Sequence, residues 1–170
     1  KEVISAVVIT ARGGHLLSRC LHSLRHQTNS FAQVIVVHSF SCVREDNNTQ
    51  YVHTEGYHGY AHAVNCGIKM VETPYFLVLN DDTVLHPTCN YELMLHAHSK
   101  RILQPQIRQL AYPNLIENTG HWITKDGFNI ARGRGEPHHT PFSESLMVFS
   151  GAAFLAPSSI LCDVGLMDTD

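Results

Sequence analysis

Residues 75–87 read YFLVLNDDTVLHP. The apolar run from Tyr75 to Leu79 has the composition of a strand covered on both faces, and it heads into two adjacent carboxylates, Asp81 and Asp82. Pro87 then suits the first turn of a helix, with Tyr91, Met94, Leu95 and His98 as its expected inner face. Two like charges at the end of a buried strand repel each other. Either they sit in water as an ordinary turn, for which Asn, Asp and Thr are common letters, or something positive meets them.

The flanking sequence places that strand. VISAVVIT (3–10) is a nearly continuous β-branched run and reads as another doubly covered strand. Leu16, Leu17, Cys20, Leu21 and Leu24 then recur on one side of a helix expected over His15–Gln27. FAQVIVVHS (31–39) supplies a second strand at Val34–Val37, and Tyr51–His53 a short third one after the polar loop SCVREDNNTQ. A further helix is expected over Gly59–Val71, although Gly67 inside it costs about 1 kcal/mol relative to alanine. Strand and helix alternate to about residue 98, the pattern of a doubly wound α/β fold with a mostly parallel sheet.

Beyond residue 100 the texture changes. Pro105, Pro113, Pro137, Pro141 and repeated glycines point to hairpins and loops rather than further strand–helix–strand units. LMVFSGAAFLAP (146–157) returns to buried sequence, and SSILCDVG (158–165) reads as a short helix between Ser158 or Ser159 and Gly165. With 170 residues the chain is expected to form one domain, 1–170, in two halves, 1–98 and 99–170.

Composition removes several function classes. A net charge of −3 gives no general attraction for nucleic acid. Five scattered cysteines without a Cys-x-x-Cys pair argue against a zinc ribbon or disulfide framework and for a reducing compartment. No apolar run approaches the length of a transmembrane helix. Gly-x-Ser-x-Gly is absent, so a hydrolase nucleophile elbow is not expected. His38, His53, His58 and His62 lack a His-Glu-x-x-His or thiol partner and read as surface or turn histidines rather than a transition-metal site. The start at Lys1 and the end at GLMDTD suggest a piece of a longer chain.

In an open parallel sheet, ligands bind at the carboxyl ends of the strands. Asp81 and Asp82 stand at one such end, Thr10 to Arg12 at a second and His38 to Ser41 at a third. A magnesium or manganese ion on one carboxylate would leave room for diphosphate oxygens and water. The other carboxylate could then accept from a ribose hydroxyl.

These segments together resemble the inverting family 2 glycosyltransferases of GT-A fold, particularly rhamnosyltransferase-like members. VVIT, LLSRCLHSLRHQT and VIVVHS resemble the family's opening. YHGYAHAVNCGI is similar to its Asn-x-Gly-(aromatic)-Ala-x-Ala-x-Asn-x-Gly-Ile segment, and PYFLVLNDDTVLHP to its strand into an acidic metal motif. IENTGHWITKDGFNIARGRGE and FSGAAFLAPSSILCDVGLMD resemble its later part, so the likeness runs in order from residue 3 to 168.

The resemblance implies transfer of a sugar from a nucleoside diphosphate donor to the hydroxyl of a glycan or lipid-linked acceptor, with inversion. It implies a nucleotide-binding half (1–98) and a sugar and acceptor half (99–170), with Asp82 holding Mg²⁺ or Mn²⁺ and Asp81 lying near the donor ribose. Thr10, Ala11 and Arg12 would lie against the nucleoside, with His38 at the base or ribose. Gly59, Ala63 and Asn65 would pack a helix beneath the nucleotide, and Gly151 and Ala152 would border the donor sugar. A cytoplasmic polysaccharide pathway, with peripheral attachment to the inner face of the membrane left open, is the implied setting.

Three positions depart from the family pattern. Thr10-Ala11-Arg12-Gly13 stands where Thr-Tyr-Asn-Arg is usual, His38 replaces an Asp, and Tyr57 replaces an Asn. The family's acidic base motif has no counterpart before residue 170, so the catalytic base is unassigned, and neither Asp168 nor Asp170 is given that role. The departures also support a second reading, a GT-A-like module that binds without catalysing. A nucleotidyltransferase is a third, for which ARGGH (11–15) supplies only a loose version of the glycine-rich basic loop. Arg132 and Arg134 could clamp a diphosphate or anionic acceptor, or lie solvated on a loop.

Overall fold

The computed structural model describes residues 3–40, 47–56, 58–142, 146 and 148–169. Tyr57, Asp170 and much of the polar loop after the second strand, including Cys42, lie outside the described residues.

Five strands form the central sheet. They are β1 (Ile4–Thr10), β2 (Gln33–His38), β3 (Gln50–His53), β4 (Tyr75–Asn80) and β5 (Ala153–Pro157). Their spatial order is β3-β2-β1-β4-β5, with the first four parallel and β5 antiparallel on β4. Successive strand residues face opposite sides of the sheet, so each strand feeds two cores. Ile4, Ala6 and Val8 join Leu77 and Leu79 beneath α1 (Gly14–Arg25) and α2 (Cys89–His96). Val7, Ile35 and Val37 join Phe76 and Val78 beneath α3 (Gly59–Ile68). The result is the expected α/β architecture of helices on both faces of a mostly parallel sheet.

Two glycines let the layers close. Gly13, at φ 63°, enters α1 where a β-carbon would stand 2.6 Å from the Phe40 ring. Gly67 lies inside α3, where a β-carbon would stand 2.4 Å from Val7 Cγ1 and 2.9 Å from Val37 Cγ2. The helix former that propensity favours would therefore lift α3 off β1 and β2.

The helix after the acidic turn differs from expectation. It begins at Cys89, so Pro87 precedes it rather than opening it, and it ends at His96, which leaves His98 outside. Tyr91 and Leu95 are exposed, whereas Asn90 and Leu93 are buried and Met94 is partly so. The physical reason is Asn90. Its amide donates to the Asn29 and Ser30 carbonyls at 2.8 and 3.0 Å, and its backbone N–H to Gln27 Oε1 at 2.9 Å. Those bonds rotate the polar residue inward.

The second half is built from short hairpins: β6 (Ile107–Arg108) pairs with β7 (Ile116–Asn118), and β8 (His121–Ile123) with β9 (Asn129–Ala131). An isolated bridge from Leu103 to Leu155 ties this half to the sheet edge. The last helix, α4 (Ile160–Val164), ends as expected at Gly165 with φ 77°. No helix among the described residues is long and apolar enough to cross a membrane.

Candidate donor site

The strand order reverses around β1, which has β2 on one side and β4 on the other. A crevice of about 170 Å³ opens over the carboxyl ends of these three strands, the position at which such sheets take their ligands. Thr10, Ala11, His38, Gly59, Ala63 and Asp81, six of the residues expected from sequence, line it together.

Thr10 is 3% exposed, and its hydroxyl does two things at once. It donates to Asp81 Oδ2 and accepts from the Gly13 N–H at 2.9 Å. Asp81 is thereby fixed at the rim, with its backbone N–H on the Ile9 carbonyl at 3.1 Å. Asp82, one residue on, is exposed and has no hydrogen bond or ion pair to any described residue. The two carboxylates therefore differ: one is held by the protein and the other is free. A single free carboxylate beside the crevice fits a cation that takes one protein ligand and keeps phosphate and water oxygens. Among the described residues no cluster of three or more His, Cys, Asp or Glu forms a closed metal cage.

His38 is buried, with Nδ1 at 2.9 Å from the Phe40 carbonyl and its ring 5.1 Å from that of His53. A carbonyl only accepts, so Nδ1 carries the proton. Beneath the acidic turn lies Cys20, whose Sγ is 3.9 Å from the Asn80 carbonyl and 3.8 Å from Thr83 Oγ1. Burial, reinforced by the Asp81 and Asp82 charges, pushes this thiol up to about 12.

The remaining expected residues do not line the crevice. Arg12 is exposed on the loop that leaves β1. Asn65 turns to the C-terminal segment, donating to the Met167 carbonyl at 2.8 Å and accepting from the Met167 N–H at 2.9 Å. Its amide is thus a backbone clip. Gly151 and Ala152 form the turn before β5, and the Ala152 carbonyl accepts from the Asn80 N–H at 3.0 Å. Arg132 is buried, bonded to Thr119 Oγ1 at 3.0 Å and the Thr119 carbonyl at 2.7 Å, with the Trp122 and Phe142 rings beside it. Arg134 pairs with Glu117 at 3.2 Å on the surface. A larger groove of about 930 Å³ runs between α2 and residues 100–106 and contains neither acidic-motif carboxylate.

Sequence reasoning passed over Tyr60, His58, His62 and Thr54 as parts of the crevice wall. The signal for the first was present: Tyr60 is the aromatic of the helix segment, one residue after Gly59.

Comparison with known proteins gives the family and the fold. The model of glycosyl transferase family 2 matches residues 5–147. The chain is 24% identical, over 89% of its length, to the teichoic acid poly(glycerol phosphate) polymerase of Staphylococcus epidermidis, and spans 25% of that protein. Its fold is similar to that of a mannosyltransferase from Pyrobaculum calidifontis solved with GDP-Man and Mn²⁺, with a TM-score of 0.65 and 15% identity. That match covers 98% of this chain and 48% of the other. It is also similar to TarS of S. aureus, with a TM-score of 0.66, 16% identity, and coverage of 95% and 29%. The chain belongs to glycosyl transferase family 2.

Proposed function

We propose that this domain binds a nucleoside diphosphate sugar in the β1–β2–β4 crevice and transfers the sugar, with inversion, to the hydroxyl of a glycan or lipid-linked acceptor. The observation that carries the reading is the pair of unlike carboxylates: Asp81 held by Thr10, Asp82 free beside it. Asp81 is positioned to accept from a ribose hydroxyl, with His38 and Thr54 on the nucleoside side of the crevice. Asp82 would hold Mg²⁺ or Mn²⁺, which, when bound, would neutralise charge on the departing diphosphate. The mannosyltransferase neighbour, solved with GDP-Man and Mn²⁺, supports a nucleotide-sugar donor and a divalent cation for this fold. The teichoic acid polymerase relative supports a polymer-building pathway, and the reading proposed here sets it in the cytoplasm, peripheral to the membrane's inner face.

Acceptor activation requires a base, and that role is left unassigned. The second reading, a binding module without turnover, rests on His38. Its Nδ1 is engaged by the Phe40 carbonyl, so it offers a single ring nitrogen, Nε2, where the family pattern has a carboxylate.

Calorimetric titration of UDP, GDP and dTDP with and without Mn²⁺, repeated on Asp82→Asn, tests the donor site. The expected result is metal-dependent binding that the substitution weakens at least tenfold, with stability changed by less than about 0.5 kcal/mol because Asp82 is exposed and unpartnered. Folded protein that binds none of the three would overturn it. Binding without transfer of sugar in the full-length protein would favour the second reading.

A further inference from the structure

Tyr60 belongs to the nucleotide half of the chain, yet its hydroxyl reaches across to the sugar half. It is the second residue of α3, lines the crevice, and donates to the Gly151 carbonyl. The ring itself lies against the same turn: a β-carbon on Gly151 would stand 3.4 Å from Tyr60 Cε1 and Oη. Partial burial pushes the phenol up to about 12, which keeps it a proton donor throughout the neutral range.

The turn so held has two other ties. The Ala152 N–H donates to Ser150 Oγ at 3.2 Å, and the Ala152 carbonyl accepts from the Asn80 N–H at 3.0 Å. Asn80 immediately precedes the two carboxylates. The 150–152 turn is therefore suspended between the acidic motif and Tyr60, with Tyr60 as its tie to α3.

We infer that Tyr60 is a positioning residue that presets the Gly151–Ala152 turn for the sugar portion of the donor; this rests on the donor-site reading above. Without the phenol the turn keeps its bonds to Asn80 and Ser150 but loses its fixed distance from α3. A loop that must order itself on binding weakens the ligand group it contacts and spares the rest. The nucleoside diphosphate would be seated on Thr10, His38 and Asp81, whose side-chain hydrogen bonds go to one another, to Gly13 and to Phe40 rather than to this turn.

The test compares Tyr60→Phe with wild type, using UDP against UDP-glucose, GDP against GDP-mannose and dTDP against dTDP-rhamnose, all with Mn²⁺. For the donor pair that wild type binds, the ratio of the nucleotide-sugar Kd to the diphosphate Kd should rise at least fivefold. Hydrogen exchange should also speed up at the Ala152 amide and not in β1 or β4. A uniform loss of both affinities, or no loss in either, would overturn the positioning role while leaving the donor site standing. Wild type that binds no nucleoside diphosphate would overturn the donor-site reading, and this inference with it.

Discussion

Thr10 shows how much one hydroxyl can decide. It is buried, donates to Asp81 and accepts from the Gly13 N–H that opens α1. Valine has the same shape and neither bond, so Thr10→Val leaves a carboxylate and an amide without their partner. The expected loss is about 1–3 kcal/mol in denaturant unfolding, together with weaker nucleotide binding. Serine at the same position should restore most of both, and an unchanged midpoint in the valine variant would contradict the account. Thr10, His38 and Asp81 were legible in the sequence because strand ends were legible, and the ends of adjacent parallel strands meet. Asn65 was not, because its partner Met167 lies 102 residues away, and no local pattern reports such a pairing.

At the scale of the element, α3 is set by a glycine that helix propensity argues against. Alanine at position 67 would gain about 1 kcal/mol of propensity. It would also place a methyl 2.4 Å from Val7 Cγ1 and 2.9 Å from Val37 Cγ2, short branched side chains in a packed core. Overpacking of this kind wins, so Gly67→Ala should destabilise the fold by a net of about 1–3 kcal/mol in chemical denaturation. Stabilisation would mean that α3 sits further from the sheet than described. The long helix α1 was readable from its apolar spacing, since Leu17, Cys20, Leu21 and Leu24 share the buried face, although Leu16, expected there too, is exposed. The eight-residue α2 was not. A buried amide, Asn90, takes the inward position there, and hydrophobic periodicity does not register a polar residue whose side-chain N–H groups are bonded to the Asn29 and Ser30 carbonyls.

Across the whole molecule, burial raises three acids at once: Cys20 to about 12, Cys89 to about 11 and Tyr60 to about 12. Between about pH 9 and 12 the folded chain keeps protons that the unfolded chain releases, so stability falls as pH rises through that window. Below pH 9 this contribution is fully present. Thermal unfolding followed from pH 7 to 11 should show a flat Tm and then a decline beginning near pH 9. A Tm that rises in that range would contradict these burials. The α/β half was legible because long apolar strands alternate with amphipathic helices. The later half was legible only as texture. Its hairpin strands are two or three residues long, too short for alternation to establish, and they are fixed by distant bridges such as His121 to Val148.

The central claim is the unlike pair of carboxylates, and its most direct measurement is an anomalous-scattering map from crystals grown with Mn²⁺ and the nucleoside diphosphate that binds best. The account predicts one manganese peak within coordination distance of a carboxylate oxygen of Asp82, with Asp81 still bonded to Thr10. A peak on Asp81 with Thr10 released, or nucleotide bound with no manganese beside Asp82, would contradict it.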